Sequence, residues 1–291
     1  MQFTAARQDR TFVDADGVTI HFYVWKSPAA TGVVQLAHGL GEYATRYERL
    51  AQDFVAAGFT VYADDHRGHG ATGMQQGGDD RTKLGQLGQL GQGGVRSTVR
   101  SVGEFTQLIT RENPNLPLAL LGHSWGSLIA QKLLNEHAEN YDAVVLTGTA
   151  FRTLRHMNSG DLAKRHNVAG GTGYEWLSRD PAVGQAFLDD PLAFKANAAK
   201  LFGIVDGMRL LGRPARKLGH DIPVLIQIGS EDTLGGTKSV ELLAKDYLTR
   251  SHLSDVELIV YADARHEIFN ETNRVEVVAD TIAWLTSRLA A

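Results

Sequence analysis

Residues Gly122-His123-Ser124-Trp125-Gly126 spell G-x-S-x-G, with an apolar run before them and an amphipathic stretch after them. Between a strand and a helix, this pentapeptide puts a serine hydroxyl at the tip of a sharp turn, where it can attack a carbonyl carbon. The two glycines suit such a turn, because its strained backbone brings neighbouring main chain close. The helix that follows offers free N–H groups and a partial positive charge to an oxyanion.

A serine hydroxyl is a weak nucleophile until a base takes its proton, and a third group must hold that base in one tautomer. Eleven histidines are available. His266, in YADARHEIFNE, follows the last predicted strand and precedes the last helix, so it projects from the same sheet edge as Ser124. His123 adjoins the serine but points elsewhere in such a turn, and His38, His66 and His69 lie on earlier loops. The acid is expected after an intervening strand, because the chain order for this geometry is Ser, then acid, then His. VLIQIGSEDTLGG puts Glu231 and Asp232 there, and the G-x-x-D spacing favours Asp232. Asp206 is the alternative if the acid sits on an earlier strand, and Asp263 is too near His266 in the chain.

Acyl transfer also needs donors for the developing oxyanion, and losing one costs about 3 kcal/mol of barrier. The backbone N–H of Trp125 is one candidate. His38-Gly39-Leu40-Gly41, after the run VVQLA, supplies the other through Leu40, although the same residues also spell a tight turn. Asp64, Asp65, His66 and His69 in DDHRGHG look like metal ligands, yet they sit in one glycine-punctuated turn with no distant ligand to complete a set. The expectation is no metal and no cofactor. Trp125, Phe151, Trp176, Phe187, Phe194 and Phe202 are candidates for an apolar acyl pocket or for ordinary packing.

The elements that must position these residues alternate. TFVDADGVTIHFYVW reads as an antiparallel hairpin turning at Asp16-Gly17. VVQLA, the helical RYERLAQDFVAAG and the extended FTVYA make a βαβ unit, so the strands are expected to be parallel. Helix 95–110, strand 118–122, helix 127–138 and strand 143–148 continue the rhythm. Strand 224–229, helix 238–248, strand 257–262 and a helix over 272–289 complete it. Residues 151–213 carry helical fragments, Gly170-Gly171 and two Asp-Pro pairs but no convincing strand. The reading is α/β, with residues 1–150 and 214–291 as a core and 151–213 as an inserted helical cap. LGQLGQLGQGG at 84–94 is too short for a repeat architecture and reads as an irregular loop.

A chain of 291 residues with 43% hydrophobic content can bury a core of this size. The absence of cysteine leaves catalysis to serine, histidine and carboxylates. A net charge of -4 with no basic run argues against a nucleic-acid partner. The N-terminal residues do not read as a signal peptide, and no window approaches a membrane span, so the expected location is cytoplasmic.

With these residues in hand, the sequence resembles the monoacylglycerol lipase and lysophospholipase-like branch of the α/β-hydrolases, grouped with serine aminopeptidase-like hydrolases. The resemblance rests on HGLGEYATRY (38–47), DDHRGHG (64–70), GHSWGS (122–127), SRDP and DDPL in the insertion, GSED (229–232) and HEIFNE (266–271). It implies a catalytic triad of Ser124, Asp232 and His266, an oxyanion hole of Leu40 and Trp125, and a cap that shapes an acyl channel and makes transient contact with lipid surfaces. It also implies that Glu42 and Arg46 organise the loop beside the site. Trp125 and Ser127 stand where the family often has Met and Gly, and Tyr43 where it often has His.

The substrate expected from this reading is a small ester with an apolar acyl group, monoacylglycerol-type lipids first, with no obligate protein partner. The bulky Trp125 motivates a second reading, a carboxylesterase for small aromatic or xenobiotic esters or lactones. A ligand-binding receptor on a hydrolase fold is the alternative from a different class.

Overall fold

The computed structural model describes residues 4–78, 84 and 86–289. Eight strands form one sheet in the order β1-β2-β4-β3-β5-β6-β7-β8. They are β1 (Arg7–Val13), β2 (Thr19–Trp25), β3 (Gly32–Ala37), β4 (Phe59–Asp64), β5 (Leu118–His123), β6 (Ala143–Thr147), β7 (Val224–Gly229) and β8 (Val256–Tyr261). The first two pair antiparallel, β2 also runs antiparallel to β4, and every later pairing is parallel. The β1–β2 turn uses Gly17 at φ 80, while the Asp14 side chain accepts from the amides of Asp16 and Val18.

The helices are α1 (Glu48–Ala56), α2 (Gly70–Gln76), α3 (Gly94–Glu112), α4 (Trp125–His137), α5 (Pro181–Asp189), α6 (Ala198–Leu210), α7 (Thr237–Thr249) and α8 (Arg274–Leu289). The central strands are buried on both faces, which is why they read as continuous apolar runs. Successive side chains alternate between two cores. Leu118, Leu120, Val144 and Leu146 join α3, α4 and α7 on one side, whereas Ala119, Leu121, Ala143 and Val145 join α1 and α8 on the other. Truncating a fully buried side chain such as Leu120 to alanine costs about 2–5 kcal/mol.

After β3 the chain moves to β4 on one side, then crosses to β5 on the other. The strand order therefore reverses beside β3, and in sheets of this kind the crevice at the strands' carboxyl ends is where ligands bind. The loop 38–43, Ser124, Asp232 and His266 all follow carboxyl ends of strands there.

Helix α2 had no clear sequence signal, since GATGMQQ is short and carries two glycines. It forms because buried Asp65 accepts the Ala71 amide at 2.7 Å. Between β6 and β7 the described elements are α5 and α6, and Gly203 at φ 60 interrupts α6. In the glycine-rich stretch 84–94, residue 85 lies outside the described residues, while Leu87 and Leu90 are buried. No helix among the described residues is long and apolar enough to cross a membrane.

Candidate active site

Ser124 joins β5 to α4 at φ 52 and ψ -121, a conformation that non-glycine residues rarely adopt. Its amide donates to the Thr147 carbonyl at 2.9 Å, and its own carbonyl accepts the Ser127 amide. The flanking glycines answer to crowding: a Cβ on Gly122 would lie 2.7 Å from the Ser127 Cα, and one on Gly126 would collide with the Ala37 carbonyl. The elbow is thus wedged between β3 and the start of α4.

His266 Nε2 stands 2.9 Å from Ser124 Oγ, and His266 Nδ1 stands 2.8 Å from Asp232 Oδ2. The other oxygen of Asp232 accepts the Leu234 amide at 2.7 Å, which fixes the carboxylate. With its Nδ1 proton given to Asp232, the imidazole presents Nε2 as acceptor to the serine hydroxyl. Burial alone would lower the His266 pKa, but the charge and hydrogen bond of Asp232, with Glu267 and Glu42 nearby, raise it above its ordinary value. His123 is held neutral beside it, pushed down to about 3 by burial and by His266.

The Gly39 backbone lies against the serine, for a Cβ at Gly39 would be 3.1 Å from Ser124 Cβ. Glu42 Oε1 takes the Gly39 amide at 2.7 Å and the Tyr47 hydroxyl at 2.7 Å. Arg46 then bridges Glu42 at 2.8 Å to Glu267 at 3.1 Å, so the loop after β3 and the histidine loop share one guanidinium. Burial raises the Glu42 pKa; at Glu267 burial pushes the same way, but Arg46, His123 and the Asn270 hydrogen bond together outweigh it and hold the carboxyl low. The segment between β6 and β7 meets the loop after β3 through Phe194, whose amide donates to the Gly41 carbonyl at 2.9 Å, and through Asp190, which accepts the Tyr43 hydroxyl at 2.7 Å.

The other sequence candidates lie elsewhere. Asp206 accepts the Val95 amide at 2.9 Å at the start of α3 and pairs with Arg209. Glu231 pairs with Arg165, and Asp263 is exposed. The DDHRGHG turn is a structural knot: Asp64 binds His66, Asp65 holds the Ala44 and Ala71 amides, and Arg67 pairs with Asp14 and Asp16. Among the described residues no group of three His, Asp or Glu side chains has the arrangement of a metal site. A surface groove of about 500 Å³ lined by Tyr261, Asn273, Glu276 and Asp280 is separate from the serine.

The candidate aromatic residues divide. The Trp125 indole is buried, 5.2 Å from the His69 ring and 5.5 Å from Phe202. Phe151 and Phe202 share its cluster with Leu40 and Met157, and Phe194 packs 5.3 Å from His69. Phe187 instead packs on Tyr174 and under Arg46. Trp176 sits 4.8 Å from the His266 ring. Glu267 and this last contact had no signal beyond a charged residue next to a histidine and an aromatic between β6 and β7.

The profile of the serine aminopeptidase S33 family matches residues 28–273. The chain is 32% identical to a monoacylglycerol lipase of Mycolicibacterium smegmatis, over 98% of this chain and 99% of that one. It is 28% identical to the monoglyceride lipase of Homo sapiens, over 96% and 90% of the two chains. Among solved structures, a thermostable carboxyl esterase from Bacillus coagulans superposes with a TM-score of 0.79 at 23% identity, covering 98% of this chain and all 100% of that one, a likeness of fold. The chain is a hydrolytic enzyme that belongs to the serine aminopeptidase S33 family of α/β-hydrolases, in the monoacylglycerol lipase-like branch.

Proposed function

We propose that the protein hydrolyses carboxylic esters through an acyl-serine on Ser124, with His266 as general base, Asp232 as its orienting acid and the amides of Leu40 and Trp125 as oxyanion donors. The observation that carries this reading is the unbroken line of contacts, 2.9 Å from Ser124 to His266 and 2.8 Å from His266 to Asp232. His266 Nε2 takes the hydroxyl proton as Ser124 Oγ bonds to the ester carbon, and the carbonyl electron pair moves to oxygen, toward the two amides. Collapse breaks the bond to the alkoxy oxygen, which leaves as the alcohol with the proton from His266. Water, deprotonated by the same nitrogen, then attacks the acyl-serine, and the second collapse releases the acid and restores the serine. Ser124→Ala is expected to abolish turnover in a folded protein; full activity in that variant would sink the mechanism.

Monoacylglycerol-type lipids are the proposed substrates. Similarity to the Mycolicibacterium smegmatis lipase along nearly the whole chain supports this, as does the apolar cluster of Leu40, Phe151, Met157, Leu201 and Phe202 beside the nucleophile. Residues 151–213 are assigned to a cap over the core of 1–150 and 214–291, because its α6 side chains Phe202 and Leu210 join that cluster. The exposed Ile204, Val205 and Met208 of α6 support transient contact of the cap with lipid surfaces. A second reading, turnover of small aromatic esters, is favoured by the buried Trp125 indole, whose ring packs at a tilt against His69 and Phe202. A chain-length series of monoacylglycerols run beside aryl esters separates the two, and inactivity on every glyceride with turnover of aryl esters selects the second.

A further inference from the structure

Two rings lie against the His266 imidazole: His123 from β5, at 4.9 Å between centroids, and Trp176 from the insertion, at 4.8 Å with 34° between the planes. Both ring nitrogens of His266 are engaged in the ring plane, by Ser124 and Asp232, so what touches the faces decides how the ring's charge is received. His123 is buried and neutral and adds no charge. Trp176 presents an electron-rich face within the range over which an aromatic ring attracts a cation.

The placement of Trp176 does not depend on its own indole. The His266 amide donates to the Trp176 carbonyl at 3.3 Å, and the Glu267 amide donates to the Leu177 carbonyl at 2.7 Å. Arg265 donates to the Glu175 and Ser178 carbonyls, Ser178 Oγ donates to the Asn270 carbonyl at 2.9 Å, and Arg179 pairs with Glu271 at 2.9 Å. Main chain and flanking side chains therefore zip segment 175–179 onto the histidine loop, and a substitution at Trp176 removes a ring while leaving the register.

We propose, resting on the reading of His266 as general base, that Trp176 is a positioning residue for it: its indole face stabilises the imidazolium formed when His266 takes the Ser124 proton. The charged groups around the ring are Asp232 on the loop after β7, Glu267 beside it in the chain, and Glu42 with Arg46 on the loop after β3. Neighbouring Ser124 is neutral. These groups keep their partners when Trp176 changes, so a loss of the aromatic face registers separately from their field.

The test is the acid limb of kcat/KM for a soluble short-chain ester, together with direct NMR titration of the His266 ring in a Ser124→Ala background. In Trp176→Leu the midpoint is expected about half a pH unit below the parent, with Trp176→Phe between the two. A midpoint in an active Trp176→Leu enzyme equal to or above that of the parent would overturn the proposal, because relief of burial alone raises the His266 midpoint whereas loss of the aromatic face lowers it. Should the leucine variant not fold, Trp176→Phe decides, and an unmoved His266 titration in it counts against the proposal. Full hydrolysis by Ser124→Ala would instead remove the reading beneath it, a result distinct from an active enzyme whose midpoint stays put.

Discussion

The His38 imidazole donates from Nδ1 to the Gly39 carbonyl, 2.7 Å away, and so holds the peptide that joins Gly39 to Leu40. The His66 amide donates to His38 Nε2 at 3.0 Å, which leaves the ring proton on Nδ1. In a trans peptide the carbonyl and the following N–H point in opposite directions, so this contact turns the Leu40 N–H away from His38. Burial, with His66 and His69 nearby, keeps His38 neutral by holding its pKa well below the ordinary value.

If the Leu40 amide is an oxyanion donor, releasing that peptide should affect the transition state more than the bound substrate. His38→Leu is expected to lower kcat by about ten-fold or more while KM stays within about two-fold. His38→Asn, whose amide can reach the same carbonyl, should recover part of the loss. Steady-state kinetics on a soluble ester read both, and a proportional rise in KM with kcat unchanged would contradict the assignment.

If His266 is the general base of the proposed mechanism, Asp232 sets its pH dependence. Only neutral imidazole can accept the Ser124 proton, so on that mechanism activity is expected to fall as pH falls through the His266 pKa, which Asp232 and its neighbours raise above 6.5. Asp232→Asn removes the charge, and the midpoint of the acid limb should move to lower pH. The same change lets the imidazole adopt the wrong tautomer, so the plateau rate is expected to drop by about 10³–10⁴-fold. A pH–rate profile of the variant checks both parts, and an acid limb that shifts upward would refute the electrostatic account.

Much of this was legible because local physics wrote it into the chain. Strands buried on both faces appear as apolar runs, and the G-x-S-x-G spacing around Ser124 answers to the close approach of Ala37 and Ser127. The loops after β5, β7 and β8 follow one another in the chain, so Ser124, Asp232 and His266 could be ordered along it. What was not legible depends on partners distant in sequence. Asp206 looked like a spare acid, yet its carboxylate meets the Val95 amide. Helix α2 forms around the buried Asp65 rather than from its own propensity, and the contact of Trp176 with His266 requires the segment between β6 and β7 to pair with the loop after β8.

Buried neutral histidines set the acid stability. Burial lowers His69 to about 3, although its hydrogen bond to the Arg67 carbonyl opposes the shift. A histidine whose folded pKa is depressed lets the unfolded chain bind a proton first, so its contribution is present above 6.5 and is lost as pH falls from there toward about 3. Replacing His69 with glutamine should flatten the stability profile in that window by about 1.4 kcal/mol per pH unit. Denaturant titrations at pH 7, 6, 5 and 4 (roughly unit steps across the titration) measure the slope. An unchanged slope would mean that His69 is protonated in the folded protein.

The outer face of α6 supplies the last expectation. Ile204 is 86% exposed, Val205 65% and Met208 55%, an apolar trio within one helical turn or so of each other. Water gains nothing from this face, whereas burying one such side chain is worth about 1.5–3 kcal/mol. Partial burial of all three in a lipid interface should therefore exceed about 1.4 kcal/mol, a factor of about ten in binding. The triple change Ile204→Ser, Val205→Ser and Met208→Ser is expected to weaken sedimentation with phosphatidylcholine vesicles by at least that factor. Turnover of a dissolved short-chain ester should stay close to the parent, because these side chains face away from the cluster around Trp125. Equal vesicle binding by the two proteins would assign the face to some other role, and a matching loss on the dissolved ester would place it in the acyl channel instead.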